Sequence, residues 1–137
     1  SMKKLLLILS IITIFSGCEK AIEKKGEDLV IKAMTDGQWT MTSFTQNSID
    51  ITSNFTGYKF QYYADKTVDA IKNGTVEKKG NWDGDGLART TWANFANATA
   101  PLDLINGYWH IDDSGWTYVI ATQTTGGTTK TMRLDKL

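Results

Sequence analysis

Turn-forming residues recur every eight to twelve positions from Gln38 to the end of the chain, and this spacing constrains the fold more than any other feature. The segments between the turns alternate apolar and polar side chains, as residues 58–62 do, which is typical of strands with one buried face. Asn73-Gly74 is the strongest turn signal, because a two-residue type I′ turn needs positive φ at both positions. The pattern predicts an all-β, antiparallel fold.

Eight strands are predicted between these turns. They cover residues 38–46, 57–63, 66–73, 75–82, 87–95, 107–112, 116–123 and 128–136. Further tight connections are predicted at 65–66, 83–86, 112–115 and 125–127. Two longer connections remain, 47–56 and 96–106, and Pro101 in the second predicts a turn of helix. Eight strands joined mostly by hairpins favour an up-and-down barrel, and a two-sheet sandwich is the alternative.

The first seventeen residues have the composition of a signal peptide. Lys3-Lys4 is followed by the uncharged run 5–15, and the small residues Ser16 and Gly17 come next, as signal cleavage requires. As a helix this run would rise only about 16 Å, about half of a bilayer's hydrocarbon core. We therefore expect residues 1–17 to be removed after export rather than to span the membrane.

Cys18 is the only cysteine of the chain, so it cannot form an internal disulfide. The run Phe15-Ser16-Gly17-Cys18 resembles the lipobox of bacterial lipoproteins, in which a small residue precedes the lipidated cysteine. That resemblance implies acylation (palmitate or similar chains) at Cys18 and anchoring in the cell envelope, with the outer membrane favoured and its face left open. A plain secretory signal followed by a chance cysteine is the alternative.

Residues 18–36 are rich in charge and form a separate segment. Its first half, 19–26, is predicted to be a tether, whereas 27–35 has apolar residues at helical spacing and the favourable i, i+4 pair Asp28–Lys32. Gly37 suits the end of this short helix. A disordered spacer is an equally good reading of the first half.

The triplet Gly37-Gln38-Trp39 opens the first predicted strand and resembles the Gly-x-Trp signature of lipocalins. In that family the tryptophan plugs the closed end of an eight-stranded barrel and an arginine packs across its ring. The resemblance therefore implies a structural Trp39–Arg133 pair, since the first and last strands of a barrel meet, and Arg89 is the competing partner.

The wider arrangement resembles the small lipocalin-like lipoproteins of Bacteroidetes-type bacteria. The likeness rests on the lipobox, a short spacer, Gly37-Gln38-Trp39, Phe55-Thr56-Gly57-Tyr58 and Gly80-Asn81-Trp82, and it covers nearly all of residues 37–137. Lys66 stands where that group usually has a glycine, a change that bears on turn type. The resemblance implies a single lipocalin-like barrel domain over residues 37–137.

Residues with catalytic or metal-binding potential are few. His110 has one carboxylate on its own strand face, Asp112, and one histidine with one carboxylate makes an incomplete metal site. The run 83–86 has the aspartates of a calcium loop without its further ligands, and neither a phosphate-binding loop nor a nucleophile elbow is present. We expect no enzyme activity, no catalytic residues, no metal and no cofactor.

Charge excludes another class of partner. The chain has 15 basic and 15 acidic residues, and loss of residues 1–17 removes Lys3 and Lys4 and leaves a net charge of −2. A nucleic-acid-binding domain normally carries a basic patch and a high isoelectric point. We therefore expect no nucleic-acid partner.

Aromatic residues are abundant for a domain of this size. Alternation predicts an inward-facing set comprising Trp39, Met41, Tyr58, Phe60, Tyr62, Val68, Trp82, Tyr118, Ile120, Met132 and Leu134. These residues suit a packed core, but an eight-stranded barrel can also hold one small ligand. The candidate ligand-binding residues are Tyr58, Phe60, Tyr62, Trp82 and Tyr118.

Two functions follow from this reading. The first is a lipid-anchored binding module for a small apolar or glycan-like molecule, favoured by the aromatic content and the lipocalin-like pattern. The second is a filled barrel that acts as a structural or interaction component of an outer-membrane protein complex, with loops 47–56 and 96–106 as the contact surface. Whether the barrel is hollow or filled distinguishes the two.

Overall fold

Eight antiparallel strands close into a barrel in the computed structural model, which describes residues 29–137. A helix, α1 (29–35), comes first. The strands are β1 (Trp39–Gln46), β2 (Ile49–Asp50), β3 (Tyr58–Tyr62), β4 (Thr67–Lys72), β5 (Thr75–Asp85), β6 (Thr90–Asn94), β7 (Gly107–Ser114), β8 (Tyr118–Thr125) and β9 (Thr128–Lys136). Each strand from β3 to β9 pairs with the next, and β1 closes the barrel between β9 and β3. The predicted up-and-down barrel is confirmed, and the sandwich alternative is wrong.

The short helix predicted before the barrel is also confirmed, as α1. Gly37 follows it with φ +81, a left-handed conformation that suits glycine at a helix end. The predicted signal peptide 1–17, Cys18 and the tether 19–26 lie outside the described residues. Within residues 29–137, no helix combines the length and apolar character needed to cross a bilayer.

The hairpin predicted at Asn73-Gly74 joins β4 to β5, with φ of 50 and 82 at its two central residues. Gly126 and Gly127 form an equivalent turn between β8 and β9, with φ of 57 and 80. In both turns the positive φ values match the twist of the flanking strands. Lys66 adopts φ 71 in the turn between β3 and β4, so this chain places a lysine in a conformation that glycine adopts more readily.

Two predicted turns are wrong because the strands run further. The run 83–86 was expected to be a turn, but β5 continues to Asp85 and the turn follows at 86–89. Gly84 faces the barrel interior, and a Cβ atom there would lie 2.8 Å from Val30 Cγ1 of α1. This glycine therefore serves the close approach of the helix. Likewise β7 continues to Ser114, with a bulge between Ile111 and Asp113.

The barrel is filled by side chains that alternate inward along every strand. Three fully buried tryptophans dominate this core, and each indole donates to a backbone carbonyl. Trp39 Nε1 bonds Met34 O at 2.9 Å, Trp82 Nε1 bonds Tyr63 O at 3.0 Å and Trp109 Nε1 bonds Ile105 O at 2.7 Å. Because the N–H groups of these three indoles are all paired, the large side chains are buried at little polar cost.

The predicted inward set is wrong in β8. Tyr118 and Ile120 face outward, whereas Val119, Ala121 and Gln123 point into the barrel. Both faces of this strand carry apolar residues, so alternation alone did not distinguish them. The remaining nine members of the predicted set are buried: Trp39, Met41, Tyr58, Phe60, Tyr62, Val68, Trp82, Met132 and Leu134.

The cation over Trp39 is Lys136, not Arg133. Trp39 and Lys136 are direct partners in the β1–β9 register, and Lys136 Nζ lies 5.1 Å from the indole centroid. Arg133 faces outward. Its Cζ lies 5.1 Å from the centroid of the Tyr118 ring, and its Nε forms an ion pair with Asp135 Oδ2 at 2.8 Å. The first and last strands do supply the cation–tryptophan pair, as expected. Because side chains alternate between the two faces of β9, however, the cation that faces Trp39 is Lys136 and not Arg133.

The two longer connections fold back onto the barrel. The first contains β2 and a 3₁₀ turn, Thr52–Phe55, that buries Phe55. The second contains a 3₁₀ turn, Leu102–Ile105, that begins after Pro101 as predicted and buries Leu102 and Ile105. Their apolar residues therefore serve the core.

Replacing Trp39 with alanine should lower the free energy of unfolding by about 3–5 kcal/mol, because it opens a cavity where β1, β9 and α1 meet. Urea denaturation measures the loss. The matched control is Trp116→Ala at an exposed turn, which should change stability by no more than about 0.5 kcal/mol. Equal losses in the two variants would contradict this account of the core.

Candidate functional site

Four of the five candidate ligand-binding residues form part of the core. Tyr58 and Phe60 stack with ring centroids 6.3 Å apart, and Tyr62 meets Trp82 edge-on at 5.2 Å. All four are buried, so their rings pack against one another and are not available to a ligand. Tyr118 is separated from them on the outer wall, beneath Arg133.

The buried tyrosines remain neutral phenols. Burial, together with the bond from Tyr58 Oη to Glu77 Oε2 at 2.7 Å, raises the pKa of Tyr58 to about 12. Burial also raises the pKa of Tyr62. Both side chains therefore stay protonated near neutral pH.

A cavity inside the barrel lies directly beneath α1, and its volume is about 80 Å³. Val30 and Met34 of the helix form its roof, and Tyr62, Trp109 and Val119 are among the strand residues around it. Sites for drug-sized ligands usually have volumes of about 300–1,000 Å³. In this arrangement the interior is too small for such a ligand.

A much larger space, a cleft of about 640 Å³, lies on the outer wall across β5, β6 and β7. The strand register builds it: Asp83 pairs with Trp92, and Trp92 pairs with Tyr108. Directly paired residues on neighbouring strands share one face of a sheet. Since Trp82 and Ala93 beside them point inward, this row of three side chains points outward.

Two aromatic rings form the floor of this outer cleft. The Trp92 and Tyr108 centroids are 6.3 Å apart with an interplanar angle of 45°, and 72% of the Tyr108 surface is exposed. The sequence reading missed both residues. A signal was available, because the adjacent aromatics Tyr108 and Trp109 on one strand must face opposite sides.

Polar groups surround the aromatic pair. Asp83 Oδ1 accepts from Lys66 Nζ at 2.5 Å and from the Gly84 backbone N–H at 2.8 Å. The bond from Lys66 holds the pKa of Asp83 below its usual value, so the carboxylate stays ionised at neutral pH. Asn81 and Thr90 also line the cleft. The site thus combines an apolar floor with fixed hydrogen-bonding groups.

A second cleft of about 630 Å³ lies further along β7, at the end of the barrel opposite α1. Tyr108 lines both clefts, so they adjoin one another at this residue. The second cleft is polar, with Gln46, Asn106 and Lys130 among its lining residues. Gln123 Nε2 donates to the carbonyls of Asn106 and Tyr108, at 3.0 and 3.1 Å, and so holds the start of β7 in place.

His110 and Asp112 form a satisfied surface pair. His110 Nδ1 lies 3.0 Å from Asp112 Oδ1, and the other carboxylate oxygen accepts from the Thr122 hydroxyl. The bonds from Thr122 and His110 lower the pKa of Asp112. Between residues 29 and 137, no group of three or more His, Cys, Asp or Glu side chains is placed to hold a metal ion.

Comparison with known proteins gives one structural likeness. A crystal structure of a DUF4847 family protein from Bacteroides vulgatus ATCC 8482 matches with a TM-score of 0.54 and 18% identity, over 77% of this chain and 96% of that one. At this identity the likeness supports the fold alone. No protein-family model matches the chain. No curated protein matches it at a significant level.

The ion pair in the outer cleft gives a testable titration. Lys66→Met should raise the pKa of Asp83 towards its ordinary value of 3.8, and carboxyl NMR measures the change. In the wild type this pair should stabilise the fold above pH 3.8, and its contribution should disappear as pH falls through the lower pKa of the folded state. Lys78→Met, which instead removes a bond to the Ala96 carbonyl, should leave Asp83 unchanged.

Proposed function

We propose that this chain is a binding module of the bacterial cell envelope, held by lipid at Cys18, that takes a glycan on the outer wall of its barrel. One observation carries the proposal: the half-buried Trp92 and the exposed Tyr108 form an outward-facing pair beside an ionised carboxylate in a large outer cleft. The established fold alone does not assign an activity, because small barrels host many functions.

The aromatic floor suits the apolar face of a sugar ring. Aromatic faces carry partial negative charge, so they attract the weakly positive C–H groups of a pyranose laid flat upon them. Contact of this kind also removes apolar surface of the ligand and of Tyr108 from water. Because Trp92 and Tyr108 lie on rigid neighbouring strands, little ordering is needed on binding.

The polar groups suit the hydroxyl groups of the same ligand. Asp83 is an acceptor-only carboxylate, and hydrogen bonds to an ionised acceptor are stronger than neutral ones. Both of its bonds described above use Oδ1, so within residues 29–137 Oδ2 is left to accept from a sugar hydroxyl. The Asn81 amide can both donate and accept. A mixture of donors and acceptors beside aromatic rings favours a neutral glycan over a purely apolar molecule.

The volumes of the inner cavity and of the outer cleft also favour a glycan over an apolar ligand. An apolar ligand in the lumen would have to fit about 80 Å³, whereas the outer cleft offers about 640 Å³. The second cleft extends this surface beyond Tyr108 along β7. A chain of several sugar units could therefore lie along the barrel with Tyr108 under its middle.

Lipid attachment at Cys18 would hold this module where glycans of the envelope are abundant. This part of the proposal, the lipid anchor, rests on the lipobox resemblance, because residues 1–28 lie outside the described range. Replacing Cys18 with serine should release the protein from the membrane fraction, as detected by immunoblot. Unchanged retention would contradict lipid anchoring.

The filled interior also favours the second candidate, a structural component that docks another envelope protein. However, the two loops that were expected to form the contact surface bury their apolar residues, Phe55, Leu102 and Ile105, against the barrel. Cross-linking in native membranes distinguishes the two functions. A specific protein partner that Trp92→Ala does not weaken would favour docking over glycan binding.

Saturation-transfer NMR tests glycan binding directly. The processed chain would be mixed at millimolar sugar with oligosaccharides of N-acetylglucosamine, xylose, mannose and β-linked glucose, and at least one class should bind. Trp92→Ala and Tyr108→Ala should each weaken that binding at least about tenfold, or about 1.4 kcal/mol, as expected for a buried aromatic contact. Trp116→Ala, which lies outside both clefts, is the matched control. Binding by no class, or equal binding by all variants, would contradict the proposal.

A further inference from the structure

The two ends of the barrel have hairpin tips of different chemistry. At the end opposite α1, the turn residues are Asn47-Ser48, Asn73-Gly74 and Gly126-Gly127, the polar and glycine residues that turns usually contain, and the exposed apolar residues Ile49 and Val76 lie beside these turns rather than in them. At the α1 end, the β3–β4 tip is polar and carries Asp65 and Lys66, whereas the β5–β6 tip carries Leu87 and the β7–β8 tip carries Trp116. Antiparallel order places these three tips around the same mouth of the barrel.

These apolar side chains are well exposed. The exposed fractions are 52% for Leu87 and 56% for Trp116, and Leu29 at the start of α1 is 42% exposed. Neither tip needs its apolar residue to form the turn. Asp85 Oδ1 accepts from the backbone N–H groups of Leu87 and Ala88, at 3.0 and 3.1 Å, so the acid closes the turn and the Leu87 side chain is directed to solvent.

Helix α1 ties the three residues to one surface. A Cβ on Gly84, near the end of β5, would touch Val30 of the helix, and Gly115 lines the same cavity as Val30. Leu29, Leu87 and Trp116 therefore surround one mouth of the barrel. We call these three residues the apolar rim.

We propose that, with Cys18 lipidated as in the proposed function, the apolar rim rests on a lipid surface and orients the barrel upright on the membrane. The described chain begins in this rim, and the ten residues 19–28 separate it from Cys18. Even fully extended, ten residues reach only about 35 Å, so a lipid on Cys18 would keep the rim near the bilayer. Tryptophan and leucine are the side chains that favour the membrane interface.

The charges around the rim fit a shallow contact. Asp85 is turned towards its own backbone, Asp113 accepts from the Tyr118 hydroxyl at 3.1 Å, and Lys66 is paired with Asp83. Arg89 lies exposed in the same tip as Leu87, where it can meet lipid phosphate. The side chains at the tips would then enter the headgroup region while the barrel wall stays in water.

The test couples the processed chain through Cys18, its only cysteine, to a maleimide-headgroup lipid in phosphatidylethanolamine–phosphatidylglycerol vesicles. Every variant is then tethered equally, and only seating of the rim can differ. Vesicles containing chain-brominated lipid should quench part of the tryptophan fluorescence. Trp116→Phe should remove most of that quenching, and Leu87→Asp should reduce it at least twofold while Trp116 is retained.

Ile49→Asp, at an apolar residue on the opposite end that is even more exposed than Leu87 and Trp116, is the control and should not change the quenching. Circular dichroism checks that each variant is folded. Absence of quenching in the wild type, or loss of equal size in Ile49→Asp, would overturn the proposal. So would a concentration-dependent dimer of the uncoupled chain that Leu87→Asp dissociates, since the rim would then bind a second copy. Trp92 and Tyr108 are unchanged throughout, so this outcome is independent of glycan binding.

Discussion

The pairing of β1 with β9 is the contact on which the rest of the structure depends. It closes the barrel and places Lys136 opposite Trp39, where the ammonium contacts the indole and also donates to the Ala33 carbonyl at 3.1 Å. Trp39 Nε1 in turn bonds Met34 O. Both bonds reach carbonyls at the C-terminal end of α1, groups that have no partner within a helix. Trp39 and Lys136 therefore take part both in closure of the sheet and in docking of the helix, and a cation is well placed at that end of the helix dipole.

A helix held in this way determines where the protein can bind a ligand. Its apolar side covers one mouth of the barrel, while Phe55 and Leu102 pack against the core from the two longer loops. Large aromatic side chains fill most of the space between. Access through this mouth would require α1 to leave, which breaks the bonds that Trp39 and Lys136 make to its carbonyls. The outer wall carries no such cost, and its strands hold Trp92 and Tyr108 in a fixed geometry without serving the core.

Local chemistry made much of this fold predictable, and long-range register made the rest unpredictable. The turns at Asn73-Gly74 and Gly126-Gly127 could be predicted because asparagine and glycine adopt positive φ more readily than other residues do. The strand ends near Gly84 depend on a helix that approaches from outside the strand. Which of Arg133 and Lys136 meets Trp39, and which face of β8 turns inward, depends on the pleat of the closed barrel, and a one-residue shift reverses every side chain. The outer cleft was missed for that reason: its three residues are brought together by the register of three strands.

The cleft and the apolar rim are related through the axis of the barrel. The strands run from the α1 end to the opposite end, and the two clefts follow β7 along that direction, with Lys66 and Asp85 in the first and Thr125 and Thr128 in the second. If the rim rests on lipid, the barrel axis points away from the membrane. A ligand along β7 then also extends away from the bilayer, and the polar cleft lies furthest from it. A membrane-anchored domain in that position meets glycans that extend away from the surface rather than lipids that lie within it. The packed interior, the polar far end and the apolar near end are then consistent with one orientation.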